Sequence, residues 1–106
     1  MSEDGSLVRR ELLPLPGRYV APRTPTEVRL AQIWTRALSM DRIGVEDRYQ
    51  DLGGDSFLAR VIFKEAEAAF QLEIPLRLLA EAATIALLAA RIDALMQRRI
   101  EARDSS

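Results

Sequence analysis

The spacing of apolar positions predicts an all-α chain. Leu30, Ile33, Trp34, Ala37 and Leu38 fall at i, i+3, i+4, i+7 and i+8, which is one face of a helix with ~3.6 residues per turn. Just ahead, Thr24-Pro25-Thr26-Glu27 reads as a capping box, with Thr24 as N-cap, Pro25 as the first helical residue and Glu27 reaching back. This helix is expected to end near Ser39, with Trp34 an ordinary core aromatic. A second stripe, Ala59, Ile62, Phe63, Ala66, Ala69 and Phe70, predicts a helix from about Ser56 to Phe70. Phe57 and Val61 lie one turn apart on the opposite face, flanked by Arg60 and Lys64. Such a pair is either an ordinary surface feature or a partner-docking patch near the helix start.

After Gln71–Ile74, Pro75 reopens helix, and from Leu76 to about Arg103 there is neither Gly nor Pro. Periodicity alone permits one long helix there. Thr84, standing before Ile85, Leu88, Ile92 and Leu95, offers an N-cap that divides the segment into a short third helix and a longer fourth. Local signals leave both arrangements open.

The remaining segments lack periodicity. Gly5, Pro14, Pro16, Gly17 and Pro22 recur too often for a helix, so residues 1–23 are expected to form a flexible lead. Leu12, Leu13, Leu15, Tyr19 and Val20 make that lead apolar enough to dock, either on its own domain or on a neighbouring one. Residues 40–55 form a long connection pinned to the bundle by Ile43, Val45, Tyr49 and Leu52, and loops of this length are often functional. The Arg/Glu-rich end, residues 100–106, is expected to fray, which leaves 24–99 as the folded unit.

Composition removes whole classes of chemistry. A length of 106 residues suits one modest core, and 48% hydrophobic residues exclude disorder of the whole chain. The net charge of -1, with both signs interspersed, gives no footprint for nucleic acid. No run of ~18 apolar residues and no signal-like N-terminus occurs, so the expectation is a soluble cytoplasmic protein with no membrane partner. The absence of Cys excludes disulfides, thiolate nucleophiles and zinc–thiolate sites, and the absence of His excludes a Ser-His-Asp triad.

Against that background, Leu52-Gly53-Gly54-Asp55-Ser56-Phe57-Leu58 stands out. The two glycines allow a sharp turn, Asp55 is the natural N-cap, and Ser56 falls on the first turn, where unpaired N–H groups and the helix dipole favour an anion. Leu58 occupies the position where a G-x-S-x-G nucleophile elbow needs its second glycine, so Ser56 reads as an attachment point for a phosphate-linked group, not as a hydrolytic nucleophile. By capping physics alone, a serine at a helix start is ordinarily just a capping residue. The flanking sequence changes that balance.

In order along the chain stand Tyr19-Val20-Ala21-Pro22-Arg23-Thr24-Pro25-Thr26-Glu27, Ile33-Trp34, Ile43-Gly44-Val45-Glu46-Asp47, Asp51-Leu52-Gly53-Gly54-Asp55-Ser56 and Leu72-Glu73-Ile74-Pro75-Leu76. Over residues 19–98 this series resembles the peptidyl carrier protein (thiolation) domain of nonribosomal peptide synthetases. The resemblance implies a four-helix bundle with a short third helix, and Ser56 as the acceptor of 4'-phosphopantetheine from coenzyme A, with Gly54 and Asp55 as parts of the motif. It also implies a non-catalytic, monomeric carrier whose cargo is an aminoacyl or peptidyl thioester. Its implied partners are a phosphopantetheinyl transferase, an adenylation domain, and a condensation, epimerisation, thioesterase or tailoring enzyme. In such carriers the second helix meets the partner enzymes, which would place Phe57, Arg60 and Val61 in a docking face.

Leu13-Pro14-Leu15-Pro16 resembles the linker that fastens an adenylation domain to the following carrier, which makes Leu13, Pro14 and Pro16 docking candidates. Gly5 to Arg10 resembles the tail of that domain, with Ser6 where its catalytic lysine is expected, as in a piece of a longer synthetase or a free-standing carrier with a degenerate remnant. Two further departures are Ala83, where proline is frequent, and Asp55, where carriers feeding condensation domains commonly have His. The alternatives are an acyl carrier of a polyketide or fatty-acid pathway, which is usually more acidic and lacks the double glycine, and a cofactor-free helical adaptor.

Overall fold

Thr24 begins the first helix, α1 (Pro25–Leu38), by accepting the Glu27 N–H on its Oγ1 at 3.1 Å. Glu27 reaches back one residue further than a standard capping box, its Oε1 taking the N–H of Arg23 at 2.7 Å. That bond, with the Arg23 guanidinium nearby, holds the buried Glu27 carboxyl below the usual carboxylate range. Its contribution to stability is therefore present at neutral pH and is lost as acid protonates it. The structure, a computed structural model, describes residues 7–104, with side chains as far as Ala102.

Three more helices follow among the described residues: α2 (Ser56–Phe70), α3 (Leu78–Glu81) and α4 (Ile85–Asp104). Thr84 separates the last two, its Oγ1 accepting from Leu87 N at 3.2 Å and its carbonyl from Leu88 N at 2.9 Å. The short third helix is thus present. α1 packs against both α2 and α4. The core is built from Leu30, Ile33 and Trp34 of α1, Ala59, Ile62, Phe63 and Ala66 of α2, and Ile85, Leu88, Ala89 and Ile92 of α4. The predicted faces of α1 and α2 both point inward, although Ala37, Leu38, Ala69 and Phe70 are only half-buried.

The long connection is pinned as expected, with Ile43, Val45, Tyr49 and Leu52 all buried. Ala83 lacks the rigidity of a proline, but two long-range bonds hold its turn: Tyr49 N–H donates to Ala83 O at 2.8 Å and Ala86 N–H to Val45 O at 2.9 Å.

Two expectations need correction. Residues 100–104 do not lose helical structure but continue α4, with Ile100, Glu101 and Ala102 exposed, because neither Gly nor Pro interrupts the helix and Gln97 bonds Glu101 one turn on. Ser105 and Ser106 lie outside the described residues. From residue 7 onward, the expected flexible lead is a strap packed on the bundle, the own-domain alternative of its two docking readings. Val8 forms a parallel bridge with Met40, donating to Ser39 O at 2.7 Å and accepting from Asp41 N at 2.9 Å. Arg10, at the start of a 3-10 turn (Arg10–Leu12), is buried and forks onto Asp47, Nε to Oδ2 at 2.7 Å and Nη2 to Oδ1 at 2.6 Å. The Tyr19 ring lies against two guanidinium groups, those of Arg42 at 4.4 Å and Arg10 at 5.6 Å. Leu13, Leu15 and Val20 rest on the core. The physical reason is a buried charge pair between residues 37 positions apart, which no local pattern announces.

Candidate functional site

Ser56 is exposed as the first residue of α2, and the turn that delivers it is closely determined. A short 3-10 turn (Gln50–Leu52) ends at Gly53, whose φ of 84° lies in the left-handed region that favours glycine. Gly54 is required for a different reason. A Cβ built there would lie 2.1 Å from the Tyr49 ring, so no side chain fits unless the ring moves. Tyr49 therefore does more than pin the loop. Its ring meets Trp34 edge-on at 5.4 Å, and its hydroxyl donates to the Asp55 carbonyl at 2.8 Å. Burial pushes its phenol above the ordinary range, which keeps it a neutral donor. Sequence periodicity showed Tyr49 only as an apolar anchor; the hydroxyl and the ring-to-glycine contact depend on the folded loop.

Asp55 is the N-cap that was expected, its Oδ1 accepting Leu58 N–H at 2.8 Å. The Ser56 hydroxyl is thus not needed for capping and is free for chemistry. A shallow depression of about 330 Å³ adjoins it, lined by Tyr49, Gln50, Asp55, Ala59, Leu76 and Leu79. Leu79 escaped the sequence reading as a site residue because α3 is too short to show a periodic face, and Leu76 because it stands in the turn before that helix. An exposed hydroxyl at a helix start, beside a partly apolar groove, fits a phosphate-linked arm: the first-turn N–H groups favour the phosphate and the groove can accept the chain beyond it.

The docking candidates separate in the structure. Phe57 is 72% exposed and Arg60 is also exposed, whereas Val61 is half-buried and so does not stand fully on the outer face as its phase predicted. Leu76, 44% exposed, is an apolar neighbour of the site that sequence reasoning missed. In the strap, Pro14 and Pro16 are exposed, but Leu13 is turned against this domain's own core and is not displayed for a neighbour. Ser6 lies outside the described residues.

Comparison with known proteins agrees with this geometry. The family model "Phosphopantetheine attachment site" matches residues 28–92. Tyrocidine synthase 3 of Brevibacillus parabrevis is 40% identical over 89 residues, a stretch covering 77% of this chain but 1% of that protein. Among solved structures, the complex of the phosphopantetheine transferase Sfp with coenzyme A and a peptidyl carrier protein aligns with a TM-score of 0.69 and 34% identity, covering 72% of this chain and 99% of that one. The PaxA T1-CDD/PaxB NDD docking-domain complex of the Pax synthetase aligns at 0.73 and 28% identity, covering 89% and 96%. The chain belongs to the phosphopantetheine attachment site family, as a peptidyl carrier domain of the kind found in nonribosomal peptide synthetases. The group that this family carries is covalent 4'-phosphopantetheine. The cofactor-free adaptor reading is set aside by the same match. Among the described residues, no helix is long and apolar enough to cross a membrane.

Proposed function

We propose that Ser56 is the residue that carries the phosphopantetheine and that the domain itself is non-catalytic, handing aminoacyl or peptidyl thioesters between the domains of a synthetase. The observation that carries this reading is the position of the Ser56 hydroxyl: exposed, on the first turn of α2, and relieved of capping by Asp55. On loading, the Ser56 oxygen would bond to the pantetheine-bearing phosphorus of coenzyme A, the pyrophosphate P–O bond would break to release 3',5'-ADP, and the hydroxyl proton would pass to a base of the transferase. The bound group supplies the thiol that a chain without cysteine lacks. Tethering raises the effective concentration of cargo at each active site the arm can reach.

The experiment combines the purified apo chain with coenzyme A and a broad-specificity phosphopantetheinyl transferase, followed by intact mass and peptide mapping. One addition, mapped to Ser56, is the expected result. A folded chain that gains nothing, or gains it elsewhere, sinks the assignment.

Partner recognition is assigned to the face around Ser56, with Phe57, Arg60 and Leu76 as its exposed members and the transferase, an adenylation domain and a condensation-type or tailoring enzyme as its visitors. Phe57→Ala is expected to lower transferase kcat/KM about fivefold to thirtyfold, the effect of losing an anchor worth roughly 1–2 kcal/mol. Stability should move by no more than about 0.5 kcal/mol, because the ring is already largely in water. Loading kinetics and a thermal melt check both, and an unchanged kcat/KM removes Phe57 from the face.

A further inference from the structure

We infer that Arg10 is a positioning residue for the Ser56 loop: from outside the helical bundle it fixes, through Asp47, the segment whose far end presents Ser56 to the modifying enzyme. The inference rests on the reading of Ser56 as the loading site.

The segment from Met40 to Asp55 has one turn of regular structure, so its shape depends on its fasteners. Tyr49 holds the end nearest Ser56, through Ala83 and Asp55. The strap holds the near end, at Ser39 and Asp41, and part of the middle, where Val20 O accepts Val45 N–H at 2.9 Å. Asp47 is the central fastener. Its buried carboxylate takes both arms of the Arg10 fork and the Gly44 N–H, the last at 2.8 Å on Oδ2. Arg10 is itself tied at Nη2 to Gly17 O and at its backbone N–H to Asp41 Oδ1.

Arg10 supplies the positive charge in this arrangement. Without it, Asp47 must turn toward water or stay buried without a counter-charge, and turning out releases Gly44 as well. Tyr49 is two residues further along, so slack at Asp47 is passed into the turn that orients Ser56. The loop then populates its competent shape for only part of the time, and the apparent affinity of any enzyme that reads this shape falls by that fraction. Once bound, the loop is in the same shape as in the wild type. KM should therefore rise while kcat holds, and faster hydrogen exchange in the loop separates this cause from loss of a surface contact at Ser56, which would raise KM with the loop amides unchanged.

The test uses the full chain, with coenzyme A saturating and the carrier concentration varied, at a temperature where circular dichroism shows every variant folded. Arg10→Met is expected to raise KM for the transferase about fivefold or more with kcat within about twofold of wild type. Arg10→Lys, which keeps the charge but cannot fork onto both oxygens, should fall between the two. Hydrogen exchange should accelerate at the Gly44, Asp47 and Tyr49 amides, with the Ile62 and Leu88 amides unchanged. Should Arg10→Met fail to fold, Asp47→Asn decides the same question, since it keeps an acceptor for Gly44 while removing the charge. A KM within about twofold of wild type, or exchange that accelerates equally at Ile62 and Leu88, overturns the inference. Such a result with loading still mapped to Ser56 leaves the proposed function standing, whereas a wild-type chain that does not load at Ser56 removes the proposed function itself.

Discussion

Ser56→Ala is expected to reduce phosphopantetheine loading to background while the bundle stays folded. The chemistry permits no partial outcome, because alanine has no oxygen to form the phosphodiester. The structure explains why the fold should not notice. Ser56 is exposed, and the capping bond to Leu58 N–H comes from Asp55. Alanine is also the better helix former, so stability should change by no more than about 0.5 kcal/mol in either direction. Intact mass after incubation with coenzyme A and transferase gives the first readout and a thermal melt the second. A variant that still gains one phosphopantetheine would show that another hydroxyl is the acceptor. A variant that gains nothing but has also unfolded would leave a stability effect as the simpler explanation, so the melt is part of the test.

The other large effect belongs to the core. Phe63→Ala should cost about 3–5 kcal/mol, the lost transfer energy of the ring plus the cavity left between the helices. Phe63 is 4% exposed on the inner face of α2, with Ile62 and Ala66 alongside it in the core cluster. Stabilities of about 5–15 kcal/mol are usual for such domains, so the variant would retain little of its margin. Urea denaturation measures the loss directly, and a loss under about 1 kcal/mol would mean that α2 is wrongly phased. The contrast with Phe57, about one and two-thirds turns earlier on the same helix, is instructive. The two phenylalanines have the same chemistry and the same helical propensity, yet one is expected to affect folding and the other recognition. Their angular positions around the helix make the difference.

Much of this is legible in the amino-acid sequence. The helix stripes, the Thr24 and Asp55 caps and the start of α2 at Ser56 all follow from residues within a turn or two of one another. The Thr84 cap is visible too, but local signals do not decide between one long helix and two, and it is the family resemblance that implies the short third helix. Ser56 itself is legible because a helix start with two preceding glycines is a local feature, and because a chain without His or Cys leaves few other roles for an exposed hydroxyl.

The C-terminal end of α4 apart, the deciding contact is distant where expectation and structure part. Proline and glycine in residues 1–23 correctly exclude a helix, but absence of helix is not absence of structure. The strap is held by Arg10 on Asp47 and by Val8 beside Met40, pairings across long separations of which the first is buried. Helical phase puts Val61 outside, and in the folded chain it is half-buried. Gly54 looks like a turn residue, and the space its missing Cβ leaves is filled by a Tyr49 ring that only the folded loop brings there.

The sequence by itself thus determined the first two helices, their caps and the serine at the head of α2, because capping and amphipathic spacing act over a few residues. Only the tertiary structure decided that the strap belongs to the domain, that Tyr49 and Gly54 together shape the turn, and which apolar side chains remain exposed around Ser56. Those are properties of packing, in which charges and surfaces far apart in the chain are judged by whether water can still reach them.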